Sequence, residues 1–187
     1  LLVIFLTVFL DLVGFGIVLP LLPVYSENFG ASGFLVGVIM ASFSAMQFLF
    51  APMWGRWSDR VGRRPVLLIS YFGSAVSYAL FAVASGMKGE TALWMLLASR
   101  IFAGICGANI AVAQAYIADI TPPEDRSKRM GLIGMAFGLG FILGPALSGL
   151  SLAGFDVFGL KFNGFGNTGP GWVAAALCAA NFLLAVF

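Results

Sequence analysis

From Asn28 to Gly55, and again from Pro65 to Met87, the chain carries no charged side chain, whereas Gly55–Arg64 between them packs four arginines and one aspartate into ten residues. Each uncharged run exceeds the roughly 20 helical residues that cross a hydrocarbon core. The pattern predicts two membrane spans joined by a charged hinge, with Gly55, Gly62 and Pro65 as helix punctuation. Composition agrees: the chain is 60% hydrophobic and 10% charged, against about 45–50% and 25% in soluble domains. The expected fold class is an all-α, polytopic membrane protein.

The apolar runs make six candidate spans, at about 1–25, 31–54, 65–86, 91–118, 129–153 and 171–187. Arg56, Arg60, Arg63 and Arg64 lie between spans 2 and 3, and Arg126, Lys128 and Arg129 between spans 4 and 5. These alternate connections hold seven of the ten basic residues, so they and the amino terminus should be cytoplasmic. The opposite side holds only Lys88 and Lys161. Gly154–Gly171, with six glycines, reads as an outer loop without regular structure. Its Phe155, Phe158, Phe162 and Phe165 fit the lipid interface. Span 1 runs past Leu10 with no small-residue cleavage site, so it is read as a retained span and not a signal peptide. The first residue is Leu1 and the last run stops at Phe187, so a longer chain is expected.

A net charge of +2, clustered by connection, argues against a nucleic-acid partner. Histidine is absent, and Cys106 and Cys178 stand far apart in apolar runs. That pattern offers neither a transition-metal site nor a disulfide or redox pair. With no phosphate loop and no nucleophile–base pair, no catalytic residue, metal or cofactor is expected, and the chain does not read as an enzyme.

Asp11 is flanked by uncharged residues from Leu1 to Leu10 and from Leu12 to Ser26. A carboxylate facing lipid is costly, so Asp11 should face the bundle interior or a wet cavity. Proton or substrate handling is one reading, and a static partnership with an arginine is the other. Gly14, Gly16, Pro20 and Pro23 should bend or break this helix near its outer end, as in the interrupted helices that line transport sites. Arg100 lies roughly 14 Å into span 4, near mid-membrane, and its permanent charge must be paired or solvated. Gly107 and Gln114 follow it at seven-residue intervals on one small, polar stripe, with Asn109 off the stripe. Ser44 and Gln47 form a similar row in span 2. Helix-packing glue and pathway lining both explain such rows.

Span 5 carries Gly131, Gly134, Gly138, Gly140, Gly144, Pro145 and Gly149, including two GxxxG pairs that let helices approach closely. Asp119 ends span 4 on the same side as Gly55–Arg64, so Asp59 and Asp119 could share the arginines in a conformation-dependent network. Asp11 in span 1 and Arg100 in span 4, with prolines in spans 2 and 5, give a weak echo at a distance of three spans, as inverted three-helix repeats would.

These motifs carry a resemblance. Gly55-Arg-Trp-Ser-Asp59-Arg60-Val-Gly62-Arg63-Arg64 is similar to the loop 2–3 signature of the major facilitator superfamily. Asp11 with Pro20-Leu-Leu-Pro23 resembles the first-span motif of its twelve-helix drug:proton antiporters. Arg100-Ile-Phe-Ala-Gly104-Ile-Cys-Gly107 resembles the fourth-span motif. Gly131, Gly140 and Gly144-Pro145 match the fifth-span antiporter motif, departing at Ser148, where glycine is usual. Phe50-Ala-Pro, Ser58-Asp59-Arg60 and Phe137-Gly-Leu-Gly look most like bacterial tetracycline efflux antiporters. Those pumps carry an acidic residue just before a tyrosine in span 3, where this chain has Ser77 before Tyr78.

The resemblance implies the amino-terminal six-helix half, built of 3+3 inverted repeats, of a plasma-membrane transporter, the bacterial inner membrane being the expected site. The carboxyl-terminal half would be a missing partner. The implied activity is export of a small amphipathic compound or drug in exchange for protons, with the proton gradient as energy source and no cofactor. Implied partners are the substrate, protons and membrane lipid. Asp11 and Arg100 would couple protons. Gly55, Asp59, Arg60, Gly62, Arg63, Arg64 and Asp119 would form a cytoplasmic latch. Gln47, Ser77, Asn109 and Gln114 would line the cavity. Gly140, Gly144 and Pro145 would form the contact to the other half, with Gly131 and Gly149 in the same motif. The alternatives are nutrient symport or facilitation, separated by transport direction under a gradient, and a receptor that binds ligand without moving it.

Overall fold

The computed structural model describes residues 2–107, 109–157, 160–164 and 166–186. Its helices are α1 (Leu2–Val18), α2 (Leu21–Asn28), α3 (Gly33–Val61), α4 (Arg63–Gly86), α5 (Glu90–Cys106), α6 (Asn109–Asp119), α7 (Arg126–Ala153) and α8 (Gly169–Val186). With α1–α2 and α5–α6 each taken as one interrupted span, six segments are long and apolar enough to cross a membrane.

Local chemistry sets the helix ends. Pro20 lacks the N–H that would continue α1, which stops at Val18, and Pro23 falls in the first turn of α2, where a missing N–H does no harm. Ser32 Oγ accepts from the Leu35 N–H at 3.4 Å and caps α3. Gly62, at φ +94°, is the single residue between α3 and α4, a conformation that a side chain would strain.

The expected ten-residue charged loop is therefore corrected. Gly55–Val61 forms the last turns of α3, so Gly55 is helical and is not punctuation, while Pro65 sits in the first turn of α4. Helix α3 has 29 residues, a length of about 44 Å against a hydrocarbon core of about 30 Å. Its charged end can project into the headgroup region without breaking the helix.

The outer loop is corrected as well. Gly154–Val157 (β1) pairs antiparallel with Leu160–Asn163 (β2), in register from Gly154 opposite Asn163 to Val157 opposite Leu160. Apolar and polar residues alternate in both segments, which is strand patterning that the high glycine content obscures. Phe158 and Phe165, and the side chains of Phe155 and Phe162, lie outside the described residues.

Helix α1 packs chiefly along α7 and α8, and α4 along α8 and α5. Lipid tails are as apolar as leucine, so close fit and not hydrophobic exclusion holds such helices together. The seam of α1 on α7 is a close one. A Cβ on Gly16 would stand 2.6 Å from Gly140 O, one on Gly140 would stand 2.9 Å from Leu12 Cβ, and one on Gly144 would enter the Gly16 backbone. The expected contact of Gly140 and Gly144 with a missing half is thereby corrected, because their small faces are already occupied by α1. Gly131, Gly134, Gly138 and Gly149 have nothing among the described residues within 4 Å of a Cβ position, so the Gly134–Gly138 pair and both outlying motif glycines are open. Helix α7 continues through Pro145, which is exposed.

The two kinds of glycine should respond oppositely to alanine. Gly144→Ala should lower the melting temperature in detergent by several degrees, since overpacking costs about 1–3 kcal/mol. Gly134→Ala should leave it unchanged or raise it, since the helix gains up to about 1 kcal/mol of propensity. Equal losses from both variants would remove the seam as the cause.

Candidate functional site

A cavity of about 230 Å³ lies between α1, α3, α4, α7 and the α5–α6 junction. Asp11, Gln47, Ser44, Ser74 and Tyr78 supply its polar groups, and Phe15, Phe43 and Phe137 much of its apolar wall. A mostly apolar hollow with a few convergent polar groups is the usual form of a small-molecule site. Asp11 is buried, and Cys178 Sγ on α8 stands 3.9 Å from its Oδ1.

Arg100 is 1% exposed, and its guanidinium carbon lies 5.5 Å from the ring centroids of both Tyr78 and Phe81. Its Nε reaches Ser99 Oγ at 3.5 Å, while Nη2 finds no hydrogen-bond partner among the described residues. The expected pairing with polar groups is thus largely replaced by two aromatic faces, whose quadrupoles attract a desolvated cation. Tyr78 links the two charged residues: one side of it lines the cavity with Asp11, and its ring carries Arg100.

Span 4 is not one helix, which alters the predicted stripe. Helix α5 ends at Cys106 and α6 begins at Asn109. The break frees carbonyls that lipid could not satisfy, and neighbouring side chains cap them. Trp54 Nε1 donates to Ile105 O at 2.6 Å, Ser70 Oγ donates to Cys106 O, and Gln47 Nε2 donates to Gly107 O at 2.8 Å. Gln47 therefore lines the cavity as expected, with its amide committed to the backbone. Gln114 is exposed and does not line this cavity. The Asn109 side chain lies outside the description. Ser77 is also displaced: it is fully buried and donates to Ser74 O at 2.9 Å, so Ser74 and Tyr78 take the cavity positions instead. Ser74, Trp54 and Ser70 were not anticipated.

At the far end of the bundle, Arg63 is the hub. Its Nη1 lies 2.6 Å from Asp59 Oδ1 and donates to Ser58 Oγ at 2.6 Å, while its Nε lies 3.0 Å from Asp119 Oδ2. One guanidinium thus joins the ends of α3, α4 and α6. Arg64 does not join this group; it donates to the Ala185 and Val186 carbonyls at the end of α8, where a cation suits the helix dipole. Arg60 makes no ion pair among the described residues and lies beside Trp57 in an open groove.

Six segments long and apolar enough to cross a membrane, the first and fourth interrupted and carrying Asp11 and Arg100, have the arrangement of one six-helix half of a two-half membrane fold. The chain belongs to the Major Facilitator Superfamily, whose model matches residues 4–187. It is similar to the tetracycline resistance protein, class E, of Escherichia coli, at 43% identity over 164 residues, covering 84% of this chain and 39% of that protein. Similarity to the class B protein of Escherichia coli is 39% over 181 residues, covering 95% of this chain and 41% of that protein. The crystal structure of the human organic anion transporter MFSD10 (TETRAN) matches with a TM-score of 0.76 and 33% identity, over 98% of this chain and 45% of that one. The chain thus spans about two fifths of the length of the curated relatives it matches.

Proposed function

We propose that this chain is the amino-terminal part of a proton-coupled exporter of a small amphipathic organic compound, tetracycline-like in size and polarity. The observation that carries the reading is Asp11, a buried carboxyl on the wall of an otherwise mainly apolar cavity. A carboxyl in that wall changes its charge when it gains or loses a proton, and a substrate that binds one charge state better than the other couples the two movements. Likeness to tetracycline resistance proteins supports drug export, and a carboxyl-terminal half would supply the remaining cavity wall. The basic helix ends and the amino terminus face the cytoplasm in this reading, which rests on the positive-inside rule. Arg100 holds the Tyr78 ring beside Asp11.

Inverted vesicles bearing the full-length protein should accumulate tetracycline or ethidium only under an imposed proton gradient, acid inside. Accumulation that ignores the gradient would end the exchange reading, and reversed substrate flow would favour symport.

In the same reading Arg63, Asp59 and Asp119 form a latch that stabilises one conformation. Both carboxylates are more than half exposed, at 62% and 55%, so each pair contributes about 0.2–1 kcal/mol. Asp59→Ala should leave insertion intact and shift the two conformations by at most about fivefold. Cross-linking between the helix ends would measure the shift, and an unchanged population would leave this segment as a topology signal alone.

A further inference from the structure

Asp11 is bordered on two sides. One side is the substrate cavity, and the other is a row of buried polar groups leading toward the end of the bundle that holds Arg63 and Asp119. Thr7 lies one turn from Asp11 on α1, Tyr71 on α4 is fully buried, and Asn181 on α8 is fully buried. Asn181 Nδ2 donates to Thr7 O at 2.7 Å. Among the described residues Asn181 Oδ1 has no hydrogen-bond partner, and Tyr71 Oη, beside Thr7, makes no hydrogen bond of full geometry. A buried polar atom without a full hydrogen bond carries a desolvation penalty of about 1–3 kcal/mol, so two in one place require an explanation other than packing. Thr7 and Tyr71 open onto a second cavity of about 120 Å³, which reaches the bundle end beside Tyr116 and Arg64. The volume holds several waters, and Tyr71, Thr7 and Tyr116 provide the polar partners that ordered water needs.

We propose that this row is the proton exit from Asp11, separate from the substrate cavity; the proposal rests on reading Asp11 as the proton site. Through a bridging water, the protonated Asp11 carboxyl passes its proton to the Tyr71 oxygen as Tyr71 passes its own hydroxyl proton to cavity water. The proton leaves past Tyr116, Asp11 remains as carboxylate, and no other bond changes. Asn181 positions the row by holding Thr7 O, and its free Oδ1 accepts from the water. The titratable and charged groups around Asp11 are Tyr71 and Tyr78 from α4, Cys178 from α8, and Arg100 from α5 behind Tyr78. Thr7 and Tyr71 both stand between Asp11 and the second cavity, and Tyr71 is the ionisable one of the two.

The test uses the full-length protein in proteoliposomes, with tetracycline and ethidium as probes. Two rates are compared: substrate–substrate exchange, which needs no net proton release, and gradient-driven transport, which does. Tyr71→Phe keeps the ring, and Asn181→Leu keeps the volume. Each should slow gradient-driven transport at least tenfold while leaving substrate exchange within twofold of the parent. Parallel loss of both rates would mean that the residues only support the structure, and parent-like gradient-driven rates would mean that the proton leaves elsewhere; either result overturns the exit. Asp11→Asn, run alongside, separates the two levels. If that variant still couples, the proton site itself is wrong and the exit falls with it. If it uncouples while Tyr71→Phe and Asn181→Leu behave as the parent, only the exit is wrong.

Discussion

Asp11→Asn should reduce gradient-driven substrate accumulation to the passive level while leaving the protein folded and able to exchange bound substrate. Asparagine has nearly the same shape as aspartate but cannot gain or lose a proton, so it removes the coupling without emptying the site. The magnitude follows from the gradient. One pH unit supplies about 1.4 kcal/mol per proton, enough to hold a tenfold concentration ratio of a neutral substrate exchanged one for one. For Asp11→Asn the ratio should fall to about one. Folding should survive, since a neutral amide in a cavity bordered by Ser74, Gln47 and Tyr78 has polar neighbours available. Accumulation comparable to the parent under the same gradient would remove Asp11 from the coupling step. Loss of both accumulation and exchange would mean that the carboxylate is needed for binding, and titration of substrate affinity against pH would then locate the competition.

What could be read from the chain alone depends on the range of the interaction. The uncharged runs and the arginine clusters are local facts, and they locate the spans because bilayer thickness is an external ruler. Asp11 was legible for the same reason: a carboxyl in a span has few tolerable surroundings. The failures involve rotation about a helix axis or the identity of a partner. Ser77 and Ser74 are three residues apart, yet only Ser74 reaches the cavity. The break at Cys106 was hidden because Gly104 and Gly107 look like packing glycines, and only the fold shows Trp54, Ser70 and Gln47 capping the carbonyls beside them. The two GxxxG pairs of α7 are alike in sequence, and only the position of α1 separates Gly140–Gly144 from Gly134–Gly138. Arg63, Arg60 and Arg64 also look interchangeable until Gly62 sets the direction in which α4 departs.

Arg100→Met should leave the melting temperature unchanged or raise it, yet reduce transport at least tenfold. Methionine fills a similar volume between Tyr78 and Phe81 and has favourable sulfur–aromatic contacts of its own. It also removes a buried charge whose Nη2 is unpartnered among the described residues. Replacing a buried ionic group by a well-packed apolar one is often neutral or stabilising by about 1–4 kcal/mol. Stability alone therefore does not account for an arginine at this depth. On the proposed coupling, its contribution lies in the field it imposes on Tyr78 and on the cavity beyond, where Asp11 would exchange its proton. Arg100→Lys separates charge from shape. The ammonium keeps the charge but loses the planar stacking on two rings, so transport should fall here as well, now with a lower melting temperature. A methionine variant that transports normally would assign Arg100 to packing. One that melts well below the parent would show that the two aromatic faces solvate the guanidinium better than they solvate a thioether, and the functional case for the residue would weaken accordingly.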